Sequence, residues 1–248
     1  MGPVQEDIAN LLAAIENHSP TQSFMNSASP GVIALFQPNK YYPSHETYLE
    51  ALADAMAHEY RAIVDAGIVL QLDSPDLCLG RHMMFKTKSD EEYRSQASLH
   101  VEAMNHALAG IRKDMVRLHV CWGNYEGPHH HDAPMEMVLP IALKANVGAL
   151  LFESSNPRHA HEWETFKNAG LPDDLILVPG VIDSTTNFIE HPKLVAERIC
   201  RFAEIVGRER VMAGSDCGFS TFAGFGAVDA DIVFAKLKTM AEIGRAHV

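Results

Sequence analysis

An alternation constrains this chain more than any other feature. Six short, largely apolar runs recur: SFMNS at 23–27, IVLQLD at 68–73, RLHVC at 117–121, ALLFE at 149–153, LILVP at 175–179 and RVMAG at 210–214. Longer stretches of helical period separate most of them. In ETYLEALADAMAHEYRAIVDAG, Leu49, Leu52, Met56, Tyr60 and Ile63 share one face, and Gly67 is placed to end the helix. The stretch from Asp90 to Ile111 repeats the period with Ala97, Val101, Met104 and Leu108. Further helices are expected at about 134–145, 160–169, 192–206 and 229–241. Apolar strands separated by helices make a parallel sheet covered on both faces. Right-handed crossovers then leave a doubly wound sheet or a (β/α) barrel.

Six strands fall short of the eight that close such a barrel. The C-terminal EIGRAHV, residues 242–248, matches the translation of a common sequencing adapter. We therefore expect one partial barrel domain over 1–241, followed by a non-native tail at 242–248, in a fragment that is inactive alone. With 47% hydrophobic residues in 248, the core is sizeable. A formal net charge of −12 with no basic stripe argues against nucleic acid or an anionic membrane surface as partner. No apolar run reaches the ~18 residues of a membrane helix, and the start MGPVQEDIANLL lacks the basic and apolar regions of a signal peptide. The four scattered cysteines suit reduced thiols and a cytoplasmic location. Oligomeric state is left open.

In parallel α/β folds the working residues lie where strands run into helices. Asp73 ends the second run, His119-Val120-Cys121 the third and Glu153 the fourth; Asp183 follows the fifth, and Asp216 and Cys217 the sixth. His119 and Cys121 are two apart, so a strand points both to one face. An imidazole and a thiolate suit Zn²⁺, and Cys217 and Glu153 complete a tetrahedral set, with Glu153 either a direct ligand or a group behind one. An isolated H-x-C is also what an ordinary buried pair looks like. Asp73 and Asn124 are substrate-binding candidates; Asp73, Asp183 and Asp216 are the candidate acids. Cys200 is read as a core residue of its helix, and His129-His130-His131 as a solvated loop from which one ring could reach the site.

These motifs also carry a resemblance. HVC, the Glu of LLFES and GSDCGF resemble the zinc motif of cobalamin-independent methionine synthase, and QLDSP resembles that family's substrate-contacting strand. HVCWGNYEGPHHHD, NPRHAHEW, PGVIDSTTNFIEHP and AGSDCGFSTFAGFG are still more similar to its epoxyalkane:coenzyme M transferase branch. The resemblance covers the chain to about Ala241. It implies a (β/α)8 TIM barrel, here with about six of eight units and the first two missing. It also implies zinc held by His119, Cys121, Glu153 and Cys217, which activates a small-molecule thiol, coenzyme M-like or homocysteine, towards an alkyl or methyl donor. One departure bears on the donor. Methionine synthases place a histidine soon after the strand that here reads PGVID, where this chain has Ser184, Thr185 and Thr186. That favours an epoxide-like electrophile over methyltetrahydrofolate; a metallohydrolase and a non-catalytic zinc domain are the other classes.

Overall fold

The computed structural model describes residues 2–220, 226 and 228–246. Six strands form one sheet: β1 (Phe24–Ala28), β2 (Val69–Asp73), β3 (Val116–His119), β4 (Ala149–Phe152), β5 (Ile176–Ile182) and β6 (Gly214–Ser215). Every pairing is parallel and the spatial order is the chain order. Among the described residues seven α-helices accompany them: α1 (Gly2–Ile15), α2 (Pro30–Phe36), α3 (His45–Asp65), α4 (Asp90–Ala107), α5 (Met135–Ala142), α6 (Pro192–Val206) and α7 (Ala230–Ala246). Sequential parallel order with covering helices is the winding of a (β/α) barrel, here an incomplete one.

The strands alternate where their sequence reads as continuous. Leu70 and Leu72 of β2, Leu118 of β3, and Leu150 and Phe152 of β4 pack into the main core under the helices. Gln71, Asp73, Arg117, His119 and Leu151 face the other way, into a cavity of about 610 Å³. Residues of all six strands line that cavity, so the sheet is concave. Across it, the Arg117 guanidinium lies 4.2 Å from the Phe24 ring centroid and donates to Met212 Sδ at 3.8 Å. The outer face is thus apolar and the inner face polar, which is the division a lined barrel needs.

The helices follow local signals. Ser89 caps α4 by accepting from the Glu92 N–H, while the Glu92 carboxylate accepts from the Ser89 N–H. Ser29 caps α2, whose first residue is Pro30. The expected faces of α3 and α4 are buried or packed against the core. Several expectations shift. The helix expected at 160–169 is a 3-10 segment, Glu162–Asn168. The sixth strand, expected at 210–214, is only Gly214–Ser215, because Arg208–Arg210 is spent in a 3-10 turn entered through Gly207 at φ +84°. β5 runs on through Pro179 to Ile182, with a register shift between Gly180 and Ile182. Cys200 is exposed rather than core, since α6 buries Val195, Phe202 and Val206 on another face. Ile243, inside the expected tail, is buried beside Val181, Ile182 and Val195; residues 247 and 248 lie outside the described residues. Among the described residues, no helix is long and apolar enough to cross a membrane.

Candidate metal centre

β3 ends at His119, and the chain continues through Val120 to Cys121 with both side chains on the cavity side. The loop after β6 carries Cys217 back to the same point. One ligand atom from each of His119, Cys121 and Cys217 lies within 4.8 Å of the others, and the two sulfurs are 3.7 Å apart. Nε2 of His119 is buried and hydrogen-bonded to nothing among the described residues. A buried, unsatisfied ring nitrogen is costly unless something binds it.

Charge is already distributed for a cation. The Cys121 S–H, then the His119 ring, holds the Cys217 thiol down at about 4 despite burial. The same contact with Cys217, together with burial, pushes the Cys121 thiol well up. Burial lowers the proton affinity of His119, but the sulfur of Cys217 and the carboxylates of Asp73 and Glu153 outweigh it and raise the ring to about 9. Loading a metal therefore expels protons from His119 and Cys121. Two thiolates and one imidazole are a donor set that fits zinc.

Glu153 lies outside that trio. Its Oε1 accepts from the Trp122 N–H at 2.9 Å and its Oε2 from Asn156 Nδ2 at 2.8 Å. Burial, then the charge of Asp216, lifts its carboxyl to about 7. Asp216 is 2% exposed, and both its oxygens are committed. Oδ1 accepts from the Ser154 and Ser155 N–H groups, and Oδ2 from the backbone and side-chain N–H of Asn156. It ties the loop after β4 to the loop after β6.

Asp73 pairs in register with His119 and lines the cavity, its carboxyl raised by burial. Asp183 accepts from the Thr185 N–H and hydroxyl, while its own N–H donates to Glu190. Asn124 donates to the Gly218 carbonyl and accepts from the Ser184 hydroxyl at 2.9 Å, joining the loops after β3, β5 and β6. A second cavity, about 430 Å³, is lined by Asn124, Glu153, Asp183, Ser184, Thr185 and Thr186 among others. Of the triple histidine, His130 and His131 are exposed and His129 turns inward onto Asp132 at 2.7 Å. Sequence reasoning missed Trp122, Asn156 and Ser154-Ser155. They act through backbone or amide N–H groups, which leave no chemical signature in a sequence.

Comparison with known proteins places this geometry. Residues 30–245 match the family model "Cobalamin-independent synthase, Catalytic domain". The 2-hydroxypropyl-CoM lyase of Xanthobacter autotrophicus is 31% identical over 143 residues, 48% of this chain and 38% of that protein. A methionine synthase of Saccharolobus islandicus is 28% identical over 214 residues, 86% of this chain and 54% of that protein. The chain spans about half the length of such curated relatives, or less. A B12-independent methionine synthase from Shewanella, solved with selenomethionine, superposes with TM-score 0.65 at 18% identity, over 90% of this chain and 62% of that one. A putative vitamin-B12 independent methionine synthase from Listeria monocytogenes gives TM-score 0.62 at 21% identity, over 95% and 69%. At those identities the two structures speak for the fold.

Proposed function

The chain belongs to the cobalamin-independent synthase catalytic-domain family, and on that footing we propose that it serves S-alkyl or S-methyl transfer to a small thiol at a zinc site. His119, Cys121 and Cys217 would hold the ion, with Glu153 as the exchangeable fourth residue. The observation that carries the reading is the convergence of two sulfurs and an imidazole nitrogen at the ends of β3 and β6. When bound, zinc keeps a coordinated thiol deprotonated and nucleophilic near neutral pH.

The remaining work falls to side chains of this chain. Glu153 has protein donors for both oxygens, from Trp122 and Asn156, so it can yield its place to a substrate sulfur without being left bare. Asp73 faces the cavity beside His119 and is suited to hold a cationic group of the thiol substrate. Asp216, enclosed by N–H donors, positions the loop that carries Cys217 and is not the acid. The electrophile occupies the second cavity, against Asp183, Ser184, Thr185 and Thr186. No histidine lies between Ile182 and Glu190 to protonate a leaving nitrogen. The Thr186 hydroxyl suits an alkoxide, as epoxide opening generates. We therefore favour an epoxide-like donor.

The test is zinc X-ray absorption on the loaded protein with and without coenzyme M or homocysteine. The expected change is one added sulfur neighbour, replacing an oxygen. An unchanged zinc environment with every thiol overturns the reading. The full protein that contains this domain, given coenzyme M with an epoxide and separately homocysteine with methyltetrahydrofolate, decides the donor. Methionine formation with no epoxide turnover overturns the donor choice alone.

A further inference from the structure

Beside the thiolate centre, three loops bring a second set of ligands together. His82 lies in the turn after β2, His129 and Asp132 in the loop after β3, and His159 in the turn after β4. The Asp132 side chain is 1% exposed and rings of three histidines surround it. Its Oδ2 meets His129 Nδ1 at 2.7 Å and His159 Nε2 at 3.0 Å. Its Oδ1 is buried and hydrogen-bonded to nothing among the described residues. So is Nδ1 of His82, which faces that oxygen across 3.5 Å.

The far nitrogens of two rings are anchored. His159 Nδ1 is held by the Glu162 carboxylate at 2.8 Å, and His129 Nε2 by the Tyr125 carbonyl at 2.9 Å. An acceptor on the far nitrogen fixes the ring's orientation; the near nitrogen, which donates to Asp132 Oδ2, gives up that proton when a cation binds and turns its lone pair to the centre. Such a far-side acceptor is the usual support for a metal-ligating histidine. His129 adopts φ +51°, the one non-glycine residue with positive φ among those described, and so a backbone cost is met to aim this ring. Atoms of His129, Asp132 and His159 already lie within 4.8 Å of one another.

We infer that His82, His129, Asp132 and His159 form a second cation site, for a divalent transition metal of borderline softness. Imidazoles with one carboxylate suit zinc, iron(II) or cobalt(II) and contain no sulfur, so this site differs in kind from the thiolate centre. It shares no ligand with that centre. Trp122 and Asn156 lie between them: the Trp122 ring stacks on His159 with centroids 4.0 Å apart and its backbone N–H holds Glu153, while Asn156 accepts from the His159 N–H and donates to Glu153. The site therefore stands or falls independently of the proposed transfer reaction.

Cobalt(II) is the probe, titrated into the metal-free chain and followed by bound metal per chain and by absorption. Two bound cobalt ions are expected. One gives intense thiolate-to-cobalt charge transfer, lost in Cys121→Ser. The other gives only weak visible bands, lost in Asp132→Asn while the charge-transfer band persists. Asp132 is buried, and its variant is checked by circular dichroism. His129→Ala, on a surface loop, is the second variant and should lose the same ion. Equal cobalt uptake by wild type, Asp132→Asn and His129→Ala overturns the site, as does a wild type that binds cobalt only at the thiolates.

Discussion

Glu153 illustrates what a single side chain costs when its neighbours serve a ligand. Its carboxyl sits at about 7 against an ordinary 4.5, because burial and the charge of Asp216 disfavour ionisation. Between those values the folded chain binds a proton that the unfolded chain has released. Stability from this group is therefore fully present below the ordinary value and is lost as pH rises through about 7. In metal-free protein the loss amounts to roughly 3 kcal/mol by pH 8. Glu153→Gln should remove that slope, and urea titrations of both proteins at pH 5 and 8 measure it; parallel slopes would refute it. Zinc at the proposed site would reverse the sign, since its ligands bind as the deprotonated forms. The identity of Glu153 as a strand-end carboxylate was legible in the sequence. That Trp122 and Asn156 hold its oxygens was not, because a backbone N–H belongs to every residue and only the fold aims one. His119 and Cys121 were legible because two-residue spacing on a strand leaves one geometry.

Elements meet tightly where β5 passes β6. A Cβ on Gly180 would lie 2.0 Å from Asp216 Oδ1 and 2.6 Å from its Cα. The second of these is backbone, so no rotamer relieves it. Gly180→Ala should destabilise the chain by about 1–3 kcal/mol, lower its melting temperature and weaken the cobalt–thiolate band through displacement of the Cys217 loop. A variant with wild-type melting and spectrum would show that the joint is slack. The same joint marks the limit of what patterning revealed. Runs of Val, Ile and Leu announced β2, β3 and β4 closely. The fifth run is expected to end at Pro179, yet β5 continues to Ile182, with a register shift against β6 between Gly180 and Ile182. β6 is shorter than expected: the turn after Gly207 takes Arg210, and Val211 makes only an isolated bridge to Leu177. α2 lay unannounced between Ser29 and Pro38, too short for its period to register, although a serine cap followed by proline is a usable signal.

At the scale of the molecule, β1 and β6 are the first and last strands of a curved sheet, and neither has an outer partner among the described residues. Phe24 of β1 is 47% exposed and Met212, just before β6, is 39% exposed. Open strand edges with apolar flanks recruit other strands. Residues 1–248 should therefore self-associate at micromolar concentration, and Phe24→Lys should reduce it, as light scattering behind size exclusion would report; a concentration-independent monomer would refute this. The two sulfurs of the thiolate centre carry a different consequence. They come from residues 96 apart in the chain. At synthesis rates of about 5–20 residues per second, Cys121 emerges roughly 5–20 s before Cys217. For that interval the ribosome displays a lone thiol beside a histidine, able to pick up a metal weakly or an oxidant irreversibly. Loading of the proposed centre would therefore require a chain translated past Cys217.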